Sequence, residues 1–105
     1  MDSVLIIDDE QQIRRLLSRI IELEGYEVLQ AADCNSAIKQ LRLHNPQVTL
    51  CDVFLPDGNG VDFVKTIKQS NPETEVILLT AHGNIHDGVQ AIKNGAFDYI
   101  TKGDD

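Results

Sequence analysis

Two adjacent aspartates, Asp8 and Asp9, close an apolar run near the start of the chain, and a third, Asp52, closes another. Val4-Leu5-Ile6-Ile7 and Val48-Thr49-Leu50-Cys51 both read as short buried strands that run straight into acid. In an open parallel α/β sheet, the carboxyl ends of neighbouring strands border the binding crevice. Three carboxylates gathered there repel one another by about 4 kcal/mol per pair at ~4 Å and an effective dielectric of ~20. A hard cation that prefers oxygen ligands offsets that cost, so the pattern points to an acidic Mg²⁺ site. Thr80 and Lys102 also close strand-like runs, which adds a hydroxyl and a cation to the same edge. Taken singly, each residue has an ordinary role, since an aspartate after a strand forms turns or caps helices. The set of five points to chemistry, because charges clustered in a cleft favour function.

The elements that must position these residues alternate strictly between strand and helix. After the first strand, Ile13, Leu16, Leu17, Ile20 and Ile21 recur at helical spacing and Gly25 supplies a stop. Tyr26 to Ala31 read as a second strand. Asp33 caps a helix carrying Ala37, Ile38 and Leu41, which Asn45-Pro46 ends. The third strand, Gln47 to Cys51, delivers Asp52, and Leu55 to Gly60 are dense in turn formers. Phe63, Val64 and Ile67 mark a third helix, closed by Asn71-Pro72. Glu75 to Thr80 form a fourth strand, Ile85, Val89 and Ile92 stripe a fourth helix ended by Asn94-Gly95, and Phe97 to Thr101 make a fifth strand. Such βαβ repeats with right-handed crossovers imply a doubly wound, mostly parallel α/β sheet. Such a sheet calls for one more helix over its last strands, and none follows Thr101; bare apolar sheet surface, or a homodimer that covers it, is the expected result.

Composition narrows the function classes. One hundred and five residues, 42% of them hydrophobic, suffice for one core. A net charge of −8 argues against a phosphate-gripping nucleic-acid module and against an anionic membrane surface. No apolar run approaches a membrane span, and no signal peptide is visible. Cys34 and Cys51 are too few for a disulfide framework or a zinc site, which fits a reducing cytoplasm. His82 and His86 have the spacing of a metal pair, but Gly83-Asn84 places His82 ahead of the helix and both read as solvated.

Strand-Asp-Asp, strand-Asp followed by Pro56-Asp57-Gly58-Asn59-Gly60, strand-Thr80-Ala81 and strand-Thr101-Lys102 together resemble the receiver domain of bacterial two-component response regulators. The likeness runs through residues 1–105 in order and lacks only the family's final helix, so the chain reads as a receiver domain cut short at its C-terminal end. It implies a flavodoxin-like sheet of order 2-1-3-4-5. It also implies that Asp52 is the phosphoacceptor for a sensor histidine kinase and that Mg²⁺ is held by Asp9, Asp52 and the Phe54 carbonyl, with Asp8 acting through water. Lys102 would pair with the phosphoryl group, and Thr80 would turn towards it while Tyr99 moves into the space vacated. Gly95 to Tyr99 resemble receivers of nitrogen-regulation-type enhancer-binding activators, which implies transcription control through an output domain outside this chain and no DNA binding by this part.

One departure is Gly103, where the family generally carries proline after the lysine; glycine loosens the loop that carries Lys102. Two other readings compete. A haloacid dehalogenase-type phosphatase also uses a strand-end aspartate with Mg²⁺, but needs a second acid where this chain has Phe54. A receiver-like interaction module without phosphorylation would not need the complete acid, threonine and lysine set. The expectation is therefore a phosphorelay receiver rather than an enzyme acting on an external substrate.

Overall fold

The structure, a computed structural model, describes residues 2–102, so Gly103 lies outside the described residues. In chain order the elements are β1 (Ser3–Ile7), α1 (Gln11–Leu23), β2 (Glu27–Ala31), α2 (Cys34–His44), β3 (Val48–Asp52), β4 (Phe54–Leu55), β5 (Gly58–Asn59), α3 (Gly60–Ser70), β6 (Glu75–Thr80), α4 (Ile85–Lys93) and β7 (Asp98–Thr101). The main sheet runs β2-β1-β3-β6-β7 with every pair parallel. Leaving out the small β4–β5 ladder, this is the expected flavodoxin-like order 2-1-3-4-5. Strands two, three and five each begin one residue later than the sequence pattern indicates, and Asp52 belongs to β3 rather than following it.

Alternation along the strands divides the core in two. Leu5, Ile7, Cys51, Val76 and Leu78 join Ala37, Leu41, Val64, Ile67 and Ala91 of α2, α3 and α4 in one continuous cluster. Val4 and Ile6 point to the other face, where α1 packs. Cover there is thinner: Leu16 and Ile20 of α1 are 57% and 51% exposed, and Ile100 on β7 is 43% exposed. An apolar groove between α1 and the strand starts is lined by Val4, Ile20, Ile21, Tyr26 and Leu50. It opens at the edge opposite to the aspartates.

Two local features depart from the sequence expectation. The turn-rich segment after Asp52 closes into a hairpin, with Phe54 opposite Asn59 and Leu55 opposite Gly58 around Pro56-Asp57. The apolar stripe of α4 faces outward, with Ile85 85% exposed. Gly88 and Ala91 take the inner side instead, because the Tyr99 ring fills the space; a Cβ on Gly88 would sit 3.3 Å from Tyr99 Cδ1.

Candidate functional site

The parallel register brings the five residues of interest to one edge. β1 pairs Ile7 with Cys51, which sets Asp8 and Asp52 at adjacent strand ends. β3 pairs Asp52 with Leu79, so Thr80 lies one step beyond Asp52 on the next strand. β6 pairs Thr80 with Thr101, and the Lys102 amide donates to the Thr80 carbonyl at 2.7 Å. Asp8, Asp9 and Asp52 each offer a carboxylate oxygen to a set whose members all lie within 4.8 Å of one another.

Local chemistry holds each acid in a distinct setting. Asp8 is 3% exposed and faces Lys102, with Nζ 3.6 Å from Oδ2. Its other oxygen accepts the Glu10 amide at 2.9 Å, which starts the turn into α1. Asp9 lies exposed on the rim. Asp52 is half-buried, and its Oδ1 accepts the Val53 amide at 2.8 Å. Burial first, and then the charge of Asp8, push the Asp52 carboxyl up from its usual range; Lys102 and the Val53 amide only partly offset this.

Those donors suit a divalent cation. All are carboxylate oxygens, the ligand type that Mg²⁺ takes, and a cation there would offset both the burial of Asp52 and the repulsion from Asp8. Among the described residues this is the one acidic or thiol and imidazole cluster with such spacing.

The remaining expected residues lie on β6, β7 and the hairpin after β3. Thr80 is fully buried, and its Oγ1 accepts the His82 amide at 3.3 Å. Phe54 opens the hairpin two residues after Asp52, with its side chain 59% exposed. Tyr99 is half-buried under α4, and its hydroxyl accepts the Asn84 amide at 3.3 Å.

Three contributors are not apparent from local pattern. Arg14 Nη1 donates to the Asp8 carbonyl at 2.6 Å and its Nε donates to Gln30 Oε1 at 3.2 Å, which ties α1 and β2 to the acidic turn. Asp57, read as a turn former, accepts the amides of Cys34 and Asn35 at the start of α2. Gly60 packs so tightly that a Cβ would lie 2.2 Å from the Asp52 carbonyl oxygen. The only sequence signal for the last is its place at the end of the turn-forming run Leu55 to Gly60.

Comparison with known proteins places this geometry in context. The family model for the response regulator receiver domain matches residues 4–105. The nitrogen assimilation regulatory protein NtrX of Azorhizobium caulinodans is 37% identical over 101 residues, which cover 94% of this chain and 22% of that protein. The phosphate regulon transcriptional regulatory protein PhoB of Escherichia coli is also 37% identical over 101 residues, covering 94% of this chain and 44% of PhoB. The chain thus spans less than half the length of either relative. The solution structure of the beryllofluoride-activated NtrC4 receiver domain dimer aligns with all of this chain and 87% of its own, at 39% identity and a TM-score of 0.92. A Burkholderia pseudomallei response regulator, solved with a phosphorylated aspartic acid, calcium ion and citrate, aligns with all of this chain and 62% of its own, at 28% identity and a TM-score of 0.94.

Proposed function

This chain belongs to the response regulator receiver family, and from that premise we propose that Asp52 is its phosphoacceptor. A carboxylate oxygen of Asp52 attacks the phosphorus of a phosphohistidine on a sensor kinase. The O–P bond forms as the P–N bond breaks, and the imidazole nitrogen keeps the electron pair. Residues 1–105 act as the phosphoacceptor unit of a phosphorelay in the cytoplasm. They turn over no external substrate.

Asp9, Asp52 and the Phe54 carbonyl would hold Mg²⁺, and Asp8 would support it through water. When bound, the ion neutralises negative charge on the oxygens around phosphorus. Lys102 supplies a second positive charge as a point donor to the phosphoryl group, and leaves Asp8 to do so. The new group brings about −1.5 to −2 of charge and strong acceptors. Thr80 turns its hydroxyl towards those oxygens, and the Tyr99 ring enters the space that opens. The surface of α4, β6 and β7 then changes its partner preference, towards an output domain that controls transcription or towards a second receiver. The NtrC4 receiver is a dimer in its beryllofluoride-activated form, which supports the second of these.

The single observation that carries this reading is the convergence of Asp8, Asp9 and Asp52 within 4.8 Å beside Lys102. The phosphorylated aspartic acid and calcium ion of the Burkholderia pseudomallei relative support it. Incubation with acetyl phosphate or phosphoramidate and Mg²⁺, followed by intact mass, tests it. One added phosphoryl group is expected on the parent and none on Asp52→Asn. Phosphate release with no phosphoryl group ever held on Asp52 would instead make the chain a phosphatase, and an unchanged mass with no phosphate release would make it a binding module.

A further inference from the structure

The hairpin that follows the phosphoacceptor is anchored at both ends. At its base, the Gly60 amide donates to the Val53 carbonyl at 2.7 Å. At its tip, Asp57 reaches across to another element. Its Oδ1 accepts the Cys34 amide at 2.8 Å and its Oδ2 accepts the Asn35 amide at 3.0 Å. These are the first two amides of α2, which the helix itself leaves without partners. Asp33, the ordinary cap, takes the third by accepting the Ser36 amide at 2.7 Å.

The contact is close as well as polar. A Cβ on Gly58 would come 3.1 Å from Cys34 Sγ, so the hairpin tip rests directly on the first turn of α2. Both amides hold the Asp57 carboxyl below its usual range, which keeps it ionised and the fork charge-assisted across neutral pH. Between tip and base lies Phe54, paired with Asn59, whose own side chain caps α3 by accepting the Val61 amide at 2.8 Å. The Phe54 backbone is thus carried by a hairpin held at both tip and base.

We propose that Asp57 is a positioning residue for divalent-cation binding: by forking across the start of α2 it fixes the hairpin that carries the Phe54 backbone, two residues after Asp52. This rests on the reading that the Phe54 carbonyl and those two aspartates form the cation site. Asp57 touches no ligand itself; it removes the freedom of the loop that supplies one, and outer partners of this kind tune metal affinity.

Mg²⁺ titration by calorimetry, with no phosphodonor present, tests the proposal on the parent, Asp57→Ala, Asp57→Asn, Asp33→Ala and Asp9→Asn. Asp57→Ala should weaken Mg²⁺ binding about tenfold. Asp57→Asn, which keeps one acceptor oxygen, should fall between it and the parent, and it carries the test if the alanine variant does not fold. Asp33→Ala removes a cap from the same helix without touching the hairpin, so it should lower thermal stability and leave Mg²⁺ affinity near the parent value. Unchanged affinity in both Asp57 variants, or an equal loss in Asp33→Ala, overturns the positioning role. If those results come with loss of binding in Asp9→Asn, the cation site itself stands. If Asp9→Asn binds Mg²⁺ as the parent does, the cation site falls and the role of Asp57 falls with it.

Discussion

Lys102 Nζ stands 3.6 Å from Asp8 Oδ2, and this contact joins the end of the fifth sheet strand to the end of the first. Asp8 is 3% exposed, whereas the lysine side chain remains 30% exposed. Truncation of Lys102 therefore leaves a buried carboxylate beside Asp52 and Asp9. Removing one member of a fully buried pair costs about 3–5 kcal/mol. With the lysine still reached by solvent, Lys102→Ala should cost less than that, about 1–2 kcal/mol. Asp8→Asn in the same background should recover most of the loss in a double-mutant cycle of urea melts. Additive losses would show that the two side chains do not interact.

Asp52 carries a stability cost at neutral pH. Its carboxyl is raised from 3.8, by burial first and by Asp8 second. A carboxyl with a folded pKa above its unfolded value contributes stability that is complete below the unfolded value and is lost as pH rises through the folded one. Ionised Asp52 is then a net penalty, and Asp52→Asn should stabilise the metal-free protein. Solvent screening at this half-open site limits the gain to about 1 kcal/mol, or about 5 °C in Tm. Thermal melts in neutral and acidic buffer check this: the gain should vanish in acid, and a lower Tm for the variant at neutral pH would contradict it.

Gly60→Ala should be among the most damaging single changes in the chain. The added carbon would lie 2.2 Å from the Asp52 carbonyl oxygen and 3.0 Å from Val53 Cα, both backbone atoms. Relief requires α3 to move away from β3, at about 3 kcal/mol. Gly25→Ala is the matched comparison, since Gly25 has φ +95 and nothing within 4 Å of a Cβ. Strain alone there costs about 1–2 kcal/mol. Chemical denaturation of both variants should rank Gly60→Ala as the weaker protein.

Phe54, two residues after Asp52, is apolar and 59% exposed. A bulky apolar ring so near Asp52 would keep water from its phosphorylated form, so Phe54→Asn should shorten the lifetime of the acyl phosphate several-fold. Intact mass followed over time after removal of the phosphodonor measures it. Equal lifetimes would remove any screening role for the ring.

Both thiols should resist alkylation. Burial, with the hydrogen bond and charge of Asp57, pushes Cys34 up to about 12. Complete burial pushes Cys51 well above its usual range. At pH ~8, a thiol at about 12 is ionised only about once in 10⁴, against about a quarter for a free cysteine. Iodoacetamide should label neither residue until denaturant is added. Rapid labelling of the folded chain would show that α2 opens locally.

The order of strands and helices was legible from residue types, because burial imposes a period of two on strands and about 3.6 on helices. Acids at the ends of apolar runs likewise marked the edge where the carboxylates meet, since a doubly wound sheet gathers the carboxyl ends of its strands on one side. Contacts between residues far apart in sequence were decided only by tertiary packing. The outward face of Ile85, the hold of Asp57 on Cys34 and Asn35, and the approach of Gly60 to Asp52 depend on which surfaces meet. Periodicity says that a helix has an apolar side; register and packing say that the Tyr99 ring already fills the space beneath α4 and turns that side to solvent.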